Sequence, residues 1–173
     1  MEIVVEFAKL LVPAGLVLYA MFLTVKSFIN KEREEKLIAL KEKHAENLVP
    51  IRLQAYERIV LLLERVAPNN LIVRLRDSQY SAREFQELLN KEIREEFNHN
   101  LSQQVYMSDE SWNLVKNAIE EIIALINNAA TQLSDEASSL DLSKGIFNIM
   151  MEQGIDPVSH PLKFVKEEVR STF

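Results

Sequence analysis

Residues Leu10 to Val25 read LLVPAGLVLYAMFLTV, sixteen positions without a charge, bracketed by Lys9 and Lys26. At about 1.5 Å rise per residue such a helix covers roughly 24 Å, a little short of a ~30 Å hydrocarbon core. Phe7 and Ala8 lengthen the apolar part. Lys9 and Lys26 are placed to snorkel, with stems along lipid and ammonium groups among headgroups. Ile3, Val4, Val5, Phe28 and Ile29 would sit at the two interfaces. Pro13 falls near the helix start, where a missing donor is better tolerated than mid-span. A cleaved signal peptide is disfavoured, because the chain opens with Glu2 and Glu6 and Lys26-Ser27-Phe28-Ile29-Asn30 carries no small-residue cleavage pattern. A buried core helix is the bland reading, and an uncharged run of this length strains it. The expectation is one uncleaved membrane span.

Lysine and arginine near the span ends set its direction. Only Lys9 precedes it, whereas Lys26, Lys31, Arg33, Lys36, Lys41 and Lys43 come after. That bias predicts an inner-membrane protein with its N-terminus outside and the domain after the span in the cytoplasm. The chain has no cysteine, which agrees with a reducing compartment.

The remaining composition sets the class. Three glycines (Gly15, Gly145, Gly154) all but exclude phosphate-cradling loops, and strand-like alternation is absent. The net charge of −6 resides in residues 51–173, with 13 Lys+Arg against 19 Asp+Glu. A phosphate backbone needs a basic face, so nucleic acid is not an expected partner. The predicted fold is all-α: a transmembrane anchor over 1–30, a charged helical stalk over 31–49, and a compact bundle of four to five helices over 50–173. In the stalk, KEREEKLIALKEKHAEN (31–47), five basic and five acidic residues cancel, and Glu32 and Lys36 stand at the favourable i,i+4 spacing.

A helix is predicted to start at Pro50 and run to Val66 or Ala67 on a stripe of Ile51, Ala55, Ile59, Leu62 and Val66, stopped by Pro68. Asn69-Asn70 is positioned to cap the next segment, and LIVRL (71–75) reads as a helical turn or a short strand, with helix favoured because no partner strand is visible. Ser81-Ala82-Arg83-Glu84 is a capping box. Phe85, Leu89, Ile93, Phe97, Leu101 and Val105 then recur every fourth residue, predicting one buried stripe about five turns long. Ser108 caps a further helix, with Asp109 and Glu110 against its positive end and Trp112, Val115, Ile119, Ile122, Ile123 and Ile126 inward. Thr131 to Ser139 is a break. A short helix from Leu142 to Gln153 ends at Gly154 as a C′ residue, and the last helix opens at Pro161.

Chemistry is sparse. Glu96-Phe97-Asn98-His99 has the E-x-x-H spacing of di-iron bundles, but that chemistry needs a second such pair. The only other histidines are His44 and His160. No serine sits in a G-x-S-x-G turn. No metal, cofactor or catalytic residue is assigned. More informative are six arginines between residues 51 and 90 (Arg52, Arg58, Arg65, Arg74, Arg76, Arg83) without one lysine. Arginine is chosen where a planar fork meets a carboxylate or phosphate. Internal ion pairs with Glu57, Glu64, Asp77, Glu84 and Glu87 are the leading reading, a protein-partner surface the second and an anion site the third.

RLQAYERIVLLLERVAPNNLIVRL (52–75), KEIREEFNHNLSQQVYMS (91–108) and Trp112 together resemble an uncharacterised family of bacterial single-pass proteins. The resemblance implies an N-terminal span and a cytoplasmic helical domain, and no activity. A working polar surface in such a domain would draw on Arg52, Gln54, Tyr56, Glu57, Asn70, Arg74, His99, Asn100, Gln103 and Gln104, where hydrogen-bonding side chains cluster. The expected function is a non-enzymatic membrane-anchored adaptor, scaffold or accessory subunit of an inner-membrane assembly. Its partner would be another protein or further copies of the chain. The alternative is a tethered helical-bundle enzyme that uses a metal or small ligand.

Overall fold

The computed structural model describes the backbone of residues 1–172 and their side chains except at 2, 4–8, 10, 41, 42, 44, 45 and 47. It is all-helical among those residues. In chain order the elements are α1 (Glu2–Val66), α2 (Pro68–Leu75), α3 (Ala82–Asn100), a 3₁₀ helix (Leu101–Tyr106), α4 (Asp109–Thr131), α5 (Ser139–Gln153) and α6 (Ser159–Thr172). The chain divides into two compact units, Met1–Leu48 and Val49–Phe173.

In the first unit every described side chain is exposed. Leu16, Val17, Leu18, Tyr19, Met21 and Phe22 each keep 60–67% of their surface. Leu11–Leu40 is the one stretch among the described residues long and apolar enough to cross a membrane. Thr24 turns its hydroxyl back onto the Ala20 carbonyl at 2.8 Å, so its donor is satisfied inside the helix. Beyond the apolar run Lys36 meets Glu32 at 2.7 Å, both exposed, an i,i+4 pair of a few tenths of a kcal/mol.

The prolines behave differently from the sequence expectation. Pro50 begins no helix, and Pro13 is not at a helix start. Both lie inside α1, where each leaves the carbonyl four residues back without its usual donor. At Pro50 packing decides: Ala55, Tyr56, Ile59, Leu62, Leu63 and Val66, just beyond it, are at most 2% exposed, and burial on that scale outweighs one lost hydrogen bond. Pro68 does end α1. Ala67 before it is extended (φ −51°, ψ 128°), the conformation proline imposes on its predecessor.

The second unit is a bundle centred on α4, which packs against α3, α5 and α6. Val115, Ile119, Ile122 and Ile126 of α4 meet Phe85, Leu89 and Ile93 of α3, Leu142 and Ile146 of α5 and Val165 of α6 in one buried cluster. Trp112 stacks on Phe97, centroids 5.5 Å apart and planes 18° apart. The N-termini of α3 and α5 are tied together. Ser81 and Glu84 form the expected capping box, and Ser138 and Asp141 form a second. Ala82 N–H donates to the Ala137 carbonyl at 2.8 Å and Ser139 N–H to the Tyr80 carbonyl at 3.1 Å. Asn69 and Asn70 cap no N-terminus. Instead the Asn70 amide donates to the Glu64 carbonyl at 2.7 Å, closing the end of α1. Gly154 takes φ +62° as the αL residue after α5, and α6 starts at Ser159, two residues ahead of Pro161.

The long stripe on α3 stops early. Phe85, Leu89 and Ile93 are fully buried, but Leu101 and Val105 are 38% and 77% exposed. The chain passes from α to 3₁₀ at Leu101. Each residue there advances about 120° instead of 100°, so four-residue spacing no longer holds one face. Leu89→Ala should therefore cost about 2–5 kcal/mol and Val105→Ala under about 0.5 kcal/mol. Urea unfolding of the full chain in detergent, followed by fluorescence of Trp112, the single tryptophan, measures both. Equal losses would restore the long stripe.

Candidate functional site

The ten polar residues that the sequence singles out do not form one surface. Tyr56, Asn100 and Gln103 are interior, at 2%, 5% and 8% exposure, so they are corrected to structural positions. Arg52 is half-buried and donates from Nε to the Tyr106 carbonyl at 3.1 Å and from a terminal nitrogen to the Tyr56 hydroxyl at 3.5 Å. Asn100 donates to the Glu96 carbonyl at 2.9 Å, Gln103 to the Ser102 hydroxyl at 3.2 Å, and Gln104 to the Leu101 carbonyl at 2.9 Å. Arg74 pairs with Glu92 at 3.4 Å across α2 and α3. Gln54, Glu57 and His99 are exposed. Asn70 is spent on closing the end of α1.

Two features gather these residues. The first is a polar junction at the N-terminus of α4. The Glu168 carboxylate, from α6, accepts from the Tyr56 hydroxyl at 2.8 Å and the Ser108 N–H at 3.1 Å on one oxygen, and from the Ser111 hydroxyl on the other. Ser108, the N-cap, accepts the Ser111 N–H at 3.1 Å. A carboxylate at a helix N-terminus meets both unpaired N–H groups and the positive dipole end. Burial pushes the Glu168 carboxyl up. The hydrogen bonds from Ser111, Tyr56 and Ser108 together outweigh burial and hold it below its ordinary value. Burial and the bond to Glu168 raise the Tyr56 phenol. This is a structural clamp, with every oxygen committed.

The second is a cleft of about 430 Å³ between α1 and the last turn of α3, lined by Arg58, Leu61, Arg65, Glu96, His99 and Asn100. Arg65 meets Glu96 at 3.1 Å, so the acid of the E-x-x-H pair faces an arginine. Among the described residues no group of three or more His, Asp or Glu gathers as a metal site. Of the six arginines, Arg65, Arg74 and Arg83 pair with carboxylates. Arg58 and Arg65, not among the ten, are what make His99 part of a site. The signal lies in the arginine spacing, and the partner helix is not visible in sequence.

Fold and cleft together define an all-helical protein with one strongly apolar N-terminal helix and a charged helical bundle. The chain belongs to a family of unknown function (DUF7935), whose model matches residues 2–172. No curated protein and no solved structure matches it.

The clamp has a pH signature. Glu168 is held low, so the stability it adds is full above the ordinary carboxyl value of 4.5 and is lost as pH falls through its lower folded value. Glu84 and Asp141 are held low too, through contacts with Ser81 and Ser138, and titrate in the same direction. The fall in melting temperature from about pH 6 to about pH 3 should be smaller in Glu168→Gln than in the parent, yet not abolished. An identical fall would show that the carboxylate is not clamped.

Proposed function

We propose that this chain is a non-enzymatic adaptor or accessory subunit, held by a single span in a bacterial inner membrane, N-terminus outside and helical bundle in the cytoplasm. The observation that carries the reading is the uncovered apolar surface of α1. From Leu11 to Ile29 the side chains are exposed, with Leu16, Val17, Leu18 and Phe28 at 64–68%. In water that surface would cost about 25 cal/mol per Å², and a bilayer removes the cost. Lys9 before the apolar run and Lys26, Lys31, Arg33 and Lys36 after it support the orientation. Anchoring raises local concentration and fixes direction, so a modest helical surface can hold a partner without a catalytic site. The bundle's exposed arginines and carboxylates offer such a surface.

The test is alkaline carbonate extraction of native membranes, followed by mild-detergent purification of the tagged full-length chain with mass spectrometry. The chain should stay with the membrane pellet. A membrane protein should co-purify at near-equal stoichiometry and persist when residues 10–25 are replaced by an unrelated apolar span. Release by carbonate would remove the anchor, and a chain recovered alone would remove the adaptor role.

A further inference from the structure

Arg58, Leu61 and Arg65 stand three and four residues apart, on one face of α1. Across the cleft stand Glu96, His99 and Asn100 of α3. Its polar groups are unequally committed. Glu96 is held by Arg65 at 3.1 Å, and the Asn100 amide by the Glu96 carbonyl at 2.9 Å. Arg58 and His99 are exposed, and neither has a hydrogen bond or ion pair to any described residue. Leu61 lies between the two arginines, 52% exposed. Leu101, two residues after His99, is 38% exposed. The cleft thus combines a surplus cation, a second nitrogen donor and bare aliphatic surface, on a domain with 13 basic and 19 acidic residues.

The neighbouring side of α1 has the opposite sign. Glu57 lines a shallow cleft with Lys166 and Arg170 of α6, and Glu64 lines another with Lys163, Lys166 and Arg170. There the acids of α1 share their clefts with cations of α6, without a direct ion pair among the described residues. Glu96, the one carboxylate that lines the cleft with Arg58, is taken by Arg65.

We propose that the α1–α3 cleft docks an acidic amphipathic segment of the partner protein, with a carboxylate on the Arg58 fork and an apolar side chain on Leu61. Charge complementarity selects the occupant. A guanidinium matches a carboxylate in a bidentate way, and Leu61 adds an apolar contact that a bare anion would leave wet. The inference rests on the adaptor reading and names the partner's chemistry.

The test places the photo-crosslinking residue benzoylphenylalanine at position 61 of the full-length chain in native membranes, with Leu53, which lines the Glu57 cleft beside Lys166 and Arg170, as the α6-side control position. Position 61 should capture a protein segment bearing Asp or Glu beside apolar residues, and position 53 should not. Arg58→Glu should lower the yield about tenfold. Arg58→Gln should lower it less, and Arg58→Lys, which keeps the charge but not the fork, should recover only part of it. Trp112 fluorescence confirms that each variant is folded. Capture of a lipid, of a second copy of this chain or of a segment without carboxylates overturns the proposal. So does equal yield from position 53, or a yield indifferent to Arg58→Glu and Arg58→Gln. A partner that co-purifies without crosslinking at 61 overturns this site alone. Absence of any co-purifying partner overturns the adaptor reading itself.

Discussion

One carboxylate ties the ends of the bundle together. Glu168 on α6 receives hydrogen bonds from Tyr56 on α1, from the backbone of Ser108 and from Ser111 on α4. Those donors are 112, 60 and 57 residues away in sequence. A half-buried carboxylate is costly unless its oxygens are satisfied, and buried donors without an acceptor are costly in turn, at about 1–3 kcal/mol each. The Ser111 and Tyr56 side chains, at 0% and 2% exposure, have little access to water. Neither side of the clamp is tolerable alone, so α1, α4 and α6 are held in one register. Arg52 extends the same tie by reaching the Tyr106 carbonyl at the end of the 3₁₀ helix.

Local signals account for most of the helices. Ser81 with Glu84, Ser108 ahead of two acids, and Gly154 each act within a turn or two, so their chemistry is visible without a fold. The second capping box, Ser138 with Asp141, is equally local, yet by sequence its serine reads only as part of a break. The clamp is not legible. In the run Lys166-Glu167-Glu168-Val169 the two acids look alike, yet Glu167 is exposed and Glu168 is half-buried. What separates them is contact with residues more than fifty positions distant, which periodicity cannot report.

The positions where sequence and structure part have physical reasons too. Leu101 and Val105 continue a four-residue rhythm, but rhythm maps to a face only while the helix keeps 3.6 residues per turn. Pro50 reads as a start because proline favours first turns. Helix α1 continues through it because the residues beyond it sink into the core, where packing overrides a propensity. Among the candidate site residues the failure is of one kind. Tyr56, Asn100 and Gln103 are polar and so suggest a surface, whereas they are buried and their polar atoms bond within the domain, to Glu168, the Glu96 carbonyl and Ser102. A polar side chain in an amphipathic helix marks a surface only when the fold leaves its hydrogen bonds to solvent.

Arginine in this chain obeys the same logic of commitment. Arg58 and Arg65 are seven residues apart, as are Glu57 and Glu64, so each pair holds one side of α1. Adjacent residues differ by about 100° around the helix, and the two signs therefore face different neighbours. The acidic side lines two clefts that also hold Lys166 and Arg170. The basic side meets a single carboxylate, Glu96, taken by Arg65. One guanidinium is left over, beside an aliphatic side chain and a histidine. An exposed ion pair contributes little to stability, about 0–1 kcal/mol, so an unpaired Arg58 is almost free for the fold to carry. Its absence of a role inside the domain is what directs attention to a role outside it.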